Sequence, residues 1–308
     1  TLYMKKLLAL QSRYTGLGDE DNMVALYPHC TFNLNARAPS IDTPLHAFVD
    51  RAHVDHVHPD AVVAIAASAD GERLTREIYG EDVGWLPWFR PGFELAMRLN
   101  EFVSSHPRAR GVILEGHGLM TWGDTSQQCY ANTLEIINRT IAWLESGQLP
   151  RSGFGRRIVT ALPEGERRAI AAGLMPGIRG LLTGAPKIGH FDDSEAVLEF
   201  VCSEQLEPLA AIGTSCPDHF LRTKVRPLLL ALDPQRESVA DVMARLPTAL
   251  DAYRADYAAY YQRCKRPDSP AMRDPDPVVY LLPGVGMITF APDKSTARIA
   301  AEFYLNGI

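Results

Sequence analysis

The segment Val112-Ile-Leu-Glu-Gly-His-Gly-Leu-Met-Thr-Trp122 recurs without gaps as Tyr280-Leu-Leu-Pro-Gly-Val-Gly-Met-Ile-Thr-Phe290. A leucine, two glycines and a threonine are identical in the two copies, and most of the other pairs are apolar in both. Each copy has the pattern of a strand, a Gly-x-Gly bend, a second strand and then a helix that begins near Asp124 or Asp293. The recurrence predicts an α/β chain with two copies of one supersecondary unit, the alternative being a chance match of two hairpins.

The length of 308 residues is about twice that of a typical domain, which also favours two modules. We predict a first module over residues 1–147, a linker and helical connection over 148–190, and a degenerate second copy over 191–308. The connection begins with a stretch rich in glycine, proline and serine, and its helix is expected to break or kink at Pro176. Because the chain opens at Thr1 without an initiator methionine, we expect the first module to be truncated at its N-terminus.

Composition and charge exclude several classes of protein. Hydrophobic residues make up 46% and charged residues 22% of the chain, which is typical of globular and not of disordered or fibrous proteins. The net charge of −6 provides no general attraction to nucleic acid, and no apolar run reaches the ~18–20 residues that span a bilayer. The five cysteines are scattered without a C-x-x-C pair, which is typical of a reducing compartment. We therefore expect a soluble, cytoplasmic protein with neither nucleic acid nor membrane as a partner.

The two copies differ at one chemically important position. His117 of the first copy is replaced by Val285 in the second, so the fold does not need an imidazole there. This replacement favours a chemical role for His117 over a packing role. A weaker similarity pairs His58-Pro59-Asp60 with Cys216-Pro217-Asp218.

Further histidines lie in the short run His53-Val-Asp-His-Val-His58, which an apolar segment follows. If residues 54–58 form a strand, His56 and His58 share one face at a separation of about 6–7 Å, and His53 lies on the opposite face. With His117 as a third ligand they would form a site with an open fourth position, the pattern of catalytic rather than structural zinc. Solvated histidines on the surface of a strand are the alternative.

Three segments resemble the class II aldolase/adducin family: Ser40-Ile-Asp-Thr-Pro-Leu-His46, His56-Val-His-Pro-Asp-Ala61 and Glu115-Gly-His-Gly-Leu-Met-Thr-Trp-Gly-Asp124. More narrowly, Tyr27-Pro-His-Cys-Thr-Phe-Asn33 and Trp85-Leu-Pro-Trp-Phe-Arg-Pro-Gly-Phe93 are similar to the aldolase part of bifunctional rhamnulose-1-phosphate aldolase/alcohol dehydrogenase proteins. The similarity runs through the whole chain. It implies a three-layer αβα sandwich in the first module and a degenerate copy of that module in the second.

The resemblance implies a zinc-dependent aldolase in which His56, His58 and His117 match the family's metal-binding histidines. The family's catalytic glutamate lies four residues before a histidine, and this spacing points to Asp42, before His46. Because aspartate is one methylene shorter, Asp42 is either the catalytic carboxylate or a metal-side or positioning residue. His46 is either structural or functional. The family's phosphate-binding loops lie upstream of the segments that this chain contains.

The activity implied by the resemblance is a lyase reaction of rhamnose catabolism. It cleaves L-rhamnulose 1-phosphate to dihydroxyacetone phosphate and L-lactaldehyde through a metal-stabilised enediolate. The alternatives are a catalytically silent adducin-like scaffold and a sugar-phosphate epimerase or decarboxylating lyase on the same fold. Arg90 is a candidate for binding the phosphate of this small-molecule substrate, or else it caps a loop. The chain has no G-x-G-x-x-G pattern, so we expect no nicotinamide cofactor, and the family resemblance also implies a homo-oligomer.

The aromatic residues near these motifs have a structural interpretation. Trp85, Trp88 and Trp122 are predicted to pack in the core or in an interface rather than to stack on a substrate. Glu115 has no counterpart in the second copy, where Pro283 stands, and this difference leaves open a role in supporting the metal ligands.

Overall fold

The computed structural model describes residues 1–34, 37–147, 153–233, 236–267 and 269–308. The chain divides into two compact units, Thr1–Leu149 and Pro150–Ile308. The second unit therefore includes most of the predicted connection at 148–190, of which residues 148–152 lie outside the described part. None of the helices in the described ranges combines the length and the apolar character needed to cross a bilayer.

The first unit has seven α-helices and four strands among its described residues. In chain order they are α1 (Met4–Ala9), α2 (Glu20–Leu26), α3 (Thr43–Phe48), β1 (His53–Val57), α4 (Asp60–Ala66), α5 (Gly71–Tyr79), β2 (Val83–Leu86), α6 (Phe93–Ser105), β3 (Gly111–Leu114), β4 (Gly118–Gly123) and α7 (Ser126–Glu145). The strands β3 and β4 and the helix α7 are the strand, bend, strand and helix that the first copy of the repeat predicts.

The second unit has six α-helices and four strands among its described residues. In chain order they are α8 (Glu164–Leu181), β5 (Ile188–Asp192), α9 (Glu195–Val201), α10 (Leu206–Ile212), α11 (Pro217–Thr223), β6 (Leu228–Leu229), α12 (Val239–Cys264), β7 (Val279–Leu282), β8 (Gly286–Ala291) and α13 (Lys294–Leu305). Helix α8 continues through Pro176, so a break there is wrong, and a kink at Pro176 stays a prediction. Pro176 is exposed, so water can satisfy the carbonyl group that loses its helical hydrogen bond.

Each unit has one four-stranded sheet, and the two sheets have the same topology. Their strand orders are β1-β4-β3-β2 and β5-β8-β7-β6. The pairs β2–β3 and β6–β7 are parallel, and the other pairs are antiparallel. The registers also agree, since Leu114 pairs with Gly118 as Leu282 pairs with Gly286. The predicted α/β fold with two related modules is confirmed.

The pairing of β1 and β5 within their sheets shows which residue of the second unit is the counterpart of His58. His56 of β1 and Phe191 of β5 pair with equivalent residues of β4 and β8, so Phe191 is the counterpart of His56. By the same register Asp193 is the counterpart of His58. The pairing of His58 with the segment Cys216-Pro217-Asp218 is therefore wrong. Proline and aspartate recur there because both segments begin a helix, where these residues are favoured.

Helices cover both faces of each sheet, because successive side chains of a strand point to opposite faces. In β3, Val112 and Leu114 face a core formed with α3 and α6, whereas Ile113 faces a core formed with α4, α5 and α7. In β7, Leu281 packs with α9, α10 and α13, and its neighbour Tyr280 packs with α8 and α12. Each unit is thus a three-layer sandwich, as predicted.

A buried carboxylate, that of Glu20, closes the N-terminus of α6. Its oxygen atoms accept hydrogen bonds from the backbone N–H groups of Phe93 and Glu94, both at 2.8 Å, and from the hydroxyl of Tyr14 at 3.1 Å. Gly92, which precedes the helix, is required because a Cβ atom there would overlap this carboxylate. A negative charge at a helix N-terminus is favourable, so Glu20 fixes the start of α6 relative to α2.

We expect Glu20→Gln to lower the free energy of unfolding of the first unit by about 2 kcal/mol, because the amide nitrogen would face backbone N–H donors. Chemical denaturation of the purified chain measures this change. Glu101→Gln is the matched control, since Glu101 lies exposed on the same helix in a surface ion pair with Arg98. That control should change the free energy by less than about 0.5 kcal/mol. Equal effects in the two variants would contradict the capping role of Glu20.

Candidate metal centre

Three histidines meet where β1 ends beside the turn between β3 and β4. His56 lies in β1, His58 follows the last residue of that strand, and His117 lies in the turn. The antiparallel pairing of β1 with β4 sets Val57 opposite Leu119, two residues after His117. Side chains that are far apart in sequence are therefore brought to one end of the sheet.

The coordinating nitrogen atoms of the three histidines all lie within 4.8 Å of one another. The Nε2 atoms of His56 and His58 are 3.0 Å apart, and the ring centroids are separated by 4.8 to 5.2 Å. His117 is 2% exposed, and the other two are half-buried. The structure thus brings together the three histidines predicted as metal ligands.

The room for this cluster comes from a glycine. A Cβ atom at Gly118 would overlap Cδ2 of the His58 ring and would lie 2.9 Å from the carbonyl oxygen of Val57. The second position of the Gly-x-Gly bend must therefore be glycine, because the ring of His58, a candidate metal ligand, fills the space that a side chain would need. Because β1 spans His53–Val57 rather than 54–58, His58 lies just beyond the strand, whereas His53 is exposed at its other end and outside the cluster.

Backbone hydrogen bonds hold the turn that carries His117. The N–H groups of Glu115 and Gly116 donate to the carbonyl oxygens of Leu86 and Ala66, at 2.9 and 2.7 Å. Gly116 has a φ of +58°, a left-handed conformation that favours glycine. The turn is anchored to the ends of β2 and α4, which fixes the backbone position of His117.

The donor set fits a divalent transition-metal ion. Three imidazole nitrogens are one of the protein ligand sets of catalytic zinc, and imidazole also binds copper, iron and nickel. Such sites keep a further coordination position for water or substrate. The histidine cluster can therefore hold a metal ion with a catalytic role.

The second unit forms the same turn without the ligands. Val285 takes the place of His117 and is fully buried, and Phe191 takes the place of His56. Asp193, in the place of His58, forms an ion pair with Arg167 at 2.9 Å. Apolar packing and an internal ion pair thus replace the three imidazoles.

Asp42 and His46 lie beside the cluster, Asp42 immediately before α3 and His46 within that helix. The Oδ2 atom of Asp42 is 4.0 Å from Nε2 of His117, and the side chain of Asp42 is 22% exposed. His46 is exposed, with its ring centroid 6.2 Å from that of His56. The short helix and the residue before it therefore place both members of the predicted Asp-x-x-x-His spacing next to the three histidines.

Tyr27 interacts electrostatically with Asp42, and no pattern in the sequence predicts a role for this tyrosine. It is fully buried, and its hydroxyl has no hydrogen-bond partner among the described residues. Burial, reinforced by the carboxylates of Glu20 and Asp42, raises the pKa of Tyr27 far above its ordinary value. The hydroxyl therefore stays protonated. The Tyr-Pro-His-Cys motif draws attention to Tyr27 in the sequence. It does not predict that Tyr27 lies close to Asp42.

Arg90 and the tryptophans have different surroundings. The guanidinium of Arg90 pairs with the carboxylate of Asp21, and its Nη1 atom is buried with no hydrogen-bond partner in the ranges that the structure describes. Trp122 is buried and Trp85 is half-buried, in agreement with a packing role. Trp88 is 58% exposed, so a core position is wrong for this residue, and its position in an interface stays a prediction. It lies beyond the end of β2, in a segment that leaves the sheet.

The sequence matches two known protein domains. Residues 15–142 match the class II aldolase and adducin N-terminal domain, and residues 169–308 match the second domain of class II aldolases. Over 290 residues, or 94% of its length, the chain is 36% identical to YuxG of Bacillus subtilis, which is described as an uncharacterized oxidoreductase. The chain spans 42% of the length of that relative.

Two solved structures are similar in part. The N-terminal class II aldolase domain of a conserved protein from Thermoplasma acidophilum is 28% identical, with a TM-score of 0.42 over 47% of this chain and 65% of that one. YgbL of Klebsiella pneumoniae, whose description leaves aldolase, epimerase and decarboxylase activities open, is 22% identical. Its TM-score is 0.30 over 38% of this chain and 62% of YgbL.

We expect Gly118→Ala to weaken metal binding about 10–100-fold, because the added methyl group displaces the ring of His58. Competition with a chromogenic chelator measures the affinity. Gly165→Ala is the control, since nothing lies within 4 Å of a Cβ atom at this exposed position of α8. Unchanged affinity in a folded Gly118→Ala variant would contradict the tight approach of Gly118 to His58.

Proposed function

We propose that this chain is a metal-dependent lyase, on the basis that residues 15–142 match the class II aldolase and adducin N-terminal domain and residues 169–308 match the second domain of class II aldolases. In this proposal it cleaves L-rhamnulose 1-phosphate to dihydroxyacetone phosphate and L-lactaldehyde by a retro-aldol reaction. The observation that supports the reaction is the cluster of His56, His58 and His117 with the Asp42 carboxylate 4.0 Å from its third member. The choice of sugar rests on the resemblance of the segments at 27–33 and 85–93.

Zinc is the ion that we assign to the three imidazoles, since three histidines are a common catalytic zinc set. When bound, zinc supplies a Lewis acid that polarises the carbonyl group of the substrate. The chain's own contribution is to hold the imidazoles in position before substrate binds. The pairing of β1 with β4 and the anchored turn at Gly116 provide that rigidity.

Asp42 is the residue that we assign to proton transfer. In the cleavage direction the bond between C3 and C4 breaks, the C4 hydroxyl group loses its proton, and C3 gains a proton. The reaction therefore needs a group that accepts one proton and returns another, with no net change. A carboxylate that is partly shielded from solvent beside His117 is suited to this exchange.

Arg90 is the residue that we assign to the substrate phosphate. A guanidinium group has a planar set of donors that matches phosphate oxygens, and Asp21 orients this one. Arg90 lies in the segment that follows Leu86. The carbonyl oxygen of Leu86 accepts the N–H of Glu115, which lies in the turn that carries His117. The segment that carries Arg90 and the turn that carries His117 therefore both adjoin the end of β2.

The pattern of retained and lost histidines favours an enzyme over a silent scaffold. The second unit keeps the sheet topology while Phe191, Asp193 and Val285 occupy the ligand positions. The fold therefore has no need of the three imidazoles for its stability. Their presence together in the first unit is best explained by metal chemistry.

We expect Asp42→Asn to lower kcat for cleavage of L-rhamnulose 1-phosphate by about 10²–10⁴-fold, because the amide cannot exchange a proton. Release of dihydroxyacetone phosphate measures the rate, and metal content should stay at the wild-type level. Asp50→Asn, which changes an exposed aspartate of the same unit, is the matched control. Wild-type turnover by Asp42→Asn would remove Asp42 from the proton-transfer role.

A further inference from the structure

Trp88 is an exposed aromatic residue next to a polar site. Its side chain is 58% exposed, whereas Trp122 in the same unit is 3% exposed. A large apolar side chain exposed at the rim of a site is a feature of ligand-binding surfaces. The surroundings of Trp88 show that its position is fixed.

A carboxylate ties Trp88 to the turn that carries His117. An Oε atom of Glu115 accepts the backbone N–H of Trp88 at 2.8 Å, and the N–H of Glu115 donates to the carbonyl oxygen of Leu86 at 2.9 Å. Glu115 thus joins the segment after β2 to the turn on both sides of Pro87. The metal-ligand candidate His117 follows Glu115 by two residues.

The indole ring of Trp88 lies against the backbone of that same turn. A Cβ atom at Gly116 would lie 3.3 Å from Cδ1 and 3.9 Å from Nε1 of Trp88. Gly116 is the residue immediately before His117. The exposed ring of Trp88 therefore contacts the turn at the residue that precedes His117, a member of the histidine cluster.

The far end of the segment is also anchored. Arg90 pairs with Asp21, and the N–H groups of Phe93 and Glu94 donate to the buried carboxylate of Glu20. The segment that carries Trp88 is held before, at and after the ring. Its exposure is consequently a feature of an ordered surface.

The second unit lacks this tie. Pro283 stands in the place of Glu115 and has neither a carboxylate nor an N–H group. The carbonyl oxygen of Gly284 instead accepts the N–H of Leu162 at 2.9 Å. The hydrogen bond between the Glu115 carboxylate and the Trp88 N–H is thus present in the unit that has the three histidines, and the second unit, which lacks them, cannot form its equivalent.

We propose that Trp88 is a specificity-determining residue that binds the apolar C–H face of the substrate's carbon chain, at the end remote from phosphate. Glu115 is the positioning residue that holds it. This inference rests on the proposed function, in which the substrate is a ketose 1-phosphate. An indole ring carries no charge and one N–H donor, so it suits the uncharged carbon chain and not the phosphate. The half of the substrate that leaves as the aldehyde is the part that Trp88 would select.

Trp88→Ala tests the contact directly. We expect it to raise KM for L-rhamnulose 1-phosphate about tenfold, with kcat changed much less and with metal content unchanged. The inhibition constant of dihydroxyacetone phosphate, which lacks the aldehyde half, should stay at the wild-type value. Trp88→Phe should recover most of the loss, and Tyr130→Ala, at an aromatic residue 61% exposed on α7, is the matched control.

Glu115 variants test the positioning role. Glu115→Ala should raise KM as Trp88→Ala does, while Glu115→Gln, which keeps an oxygen acceptor for the Trp88 N–H, should stay near the wild-type value. A second readout is the change in tryptophan fluorescence when the ketose phosphate is added, which we expect to be lost in Trp88→Phe. Loss of metal from Glu115→Ala would overturn the positioning role.

The outcomes separate this inference from the proposed function. If the wild type cleaves the ketose phosphate and Trp88→Ala has an unchanged KM, the specificity role is wrong and the proposed function stands. If Trp88→Ala weakens the binding of dihydroxyacetone phosphate to the same extent as the binding of the ketose phosphate, the assignment of Trp88 to the aldehyde half is wrong. If the metal-loaded wild type cleaves no ketose phosphate, the proposed function fails and this inference fails with it.

Discussion

The antiparallel pairing of β1 with β4 is the constraint on which the rest of the site depends. It sets His56 and His58 against the turn that carries His117, at a spacing that leaves no room for a side chain at Gly118. The second unit keeps the equivalent pairing of β5 with β8 although it has none of the three histidines. The sheet therefore provides the geometry, and the residues placed on it provide the chemistry.

Much of this arrangement could be predicted from the sequence, because its signals are local or repeated. The Gly-x-Gly hairpin recurs with apolar strands on both sides, which indicates both the elements and the duplication. The exchange of His117 for Val285 marks a residue that the fold does not need, and the spacing of His56 and His58 places two imidazoles at one end of a strand. Asp42 follows only from the spacing that the family resemblance implies, since an aspartate before a short helix has no specific signal of its own.

The contacts that the sequence did not predict join residues with no local signature. Glu20 reaches Phe93 across 73 residues, and Glu115 reaches Trp88 across 27. Both depend on how the segments after β2 pack, so neither follows from periodicity or spacing. The exposure of Trp88 has the same origin. The misleading similarity at Cys216 had a different cause, because proline and aspartate mark the beginning of many helices.

Elemental analysis of the purified chain tests whether β1 and the β3–β4 turn build one metal centre. We expect about one zinc ion per chain in the wild type and its loss in His56→Ala. His53→Ala is the control, since His53 lies exposed on the same strand, and it should retain the wild-type zinc content. A wild type without bound metal, or equal zinc in the wild type and His56→Ala, would show that these elements do not build a metal centre.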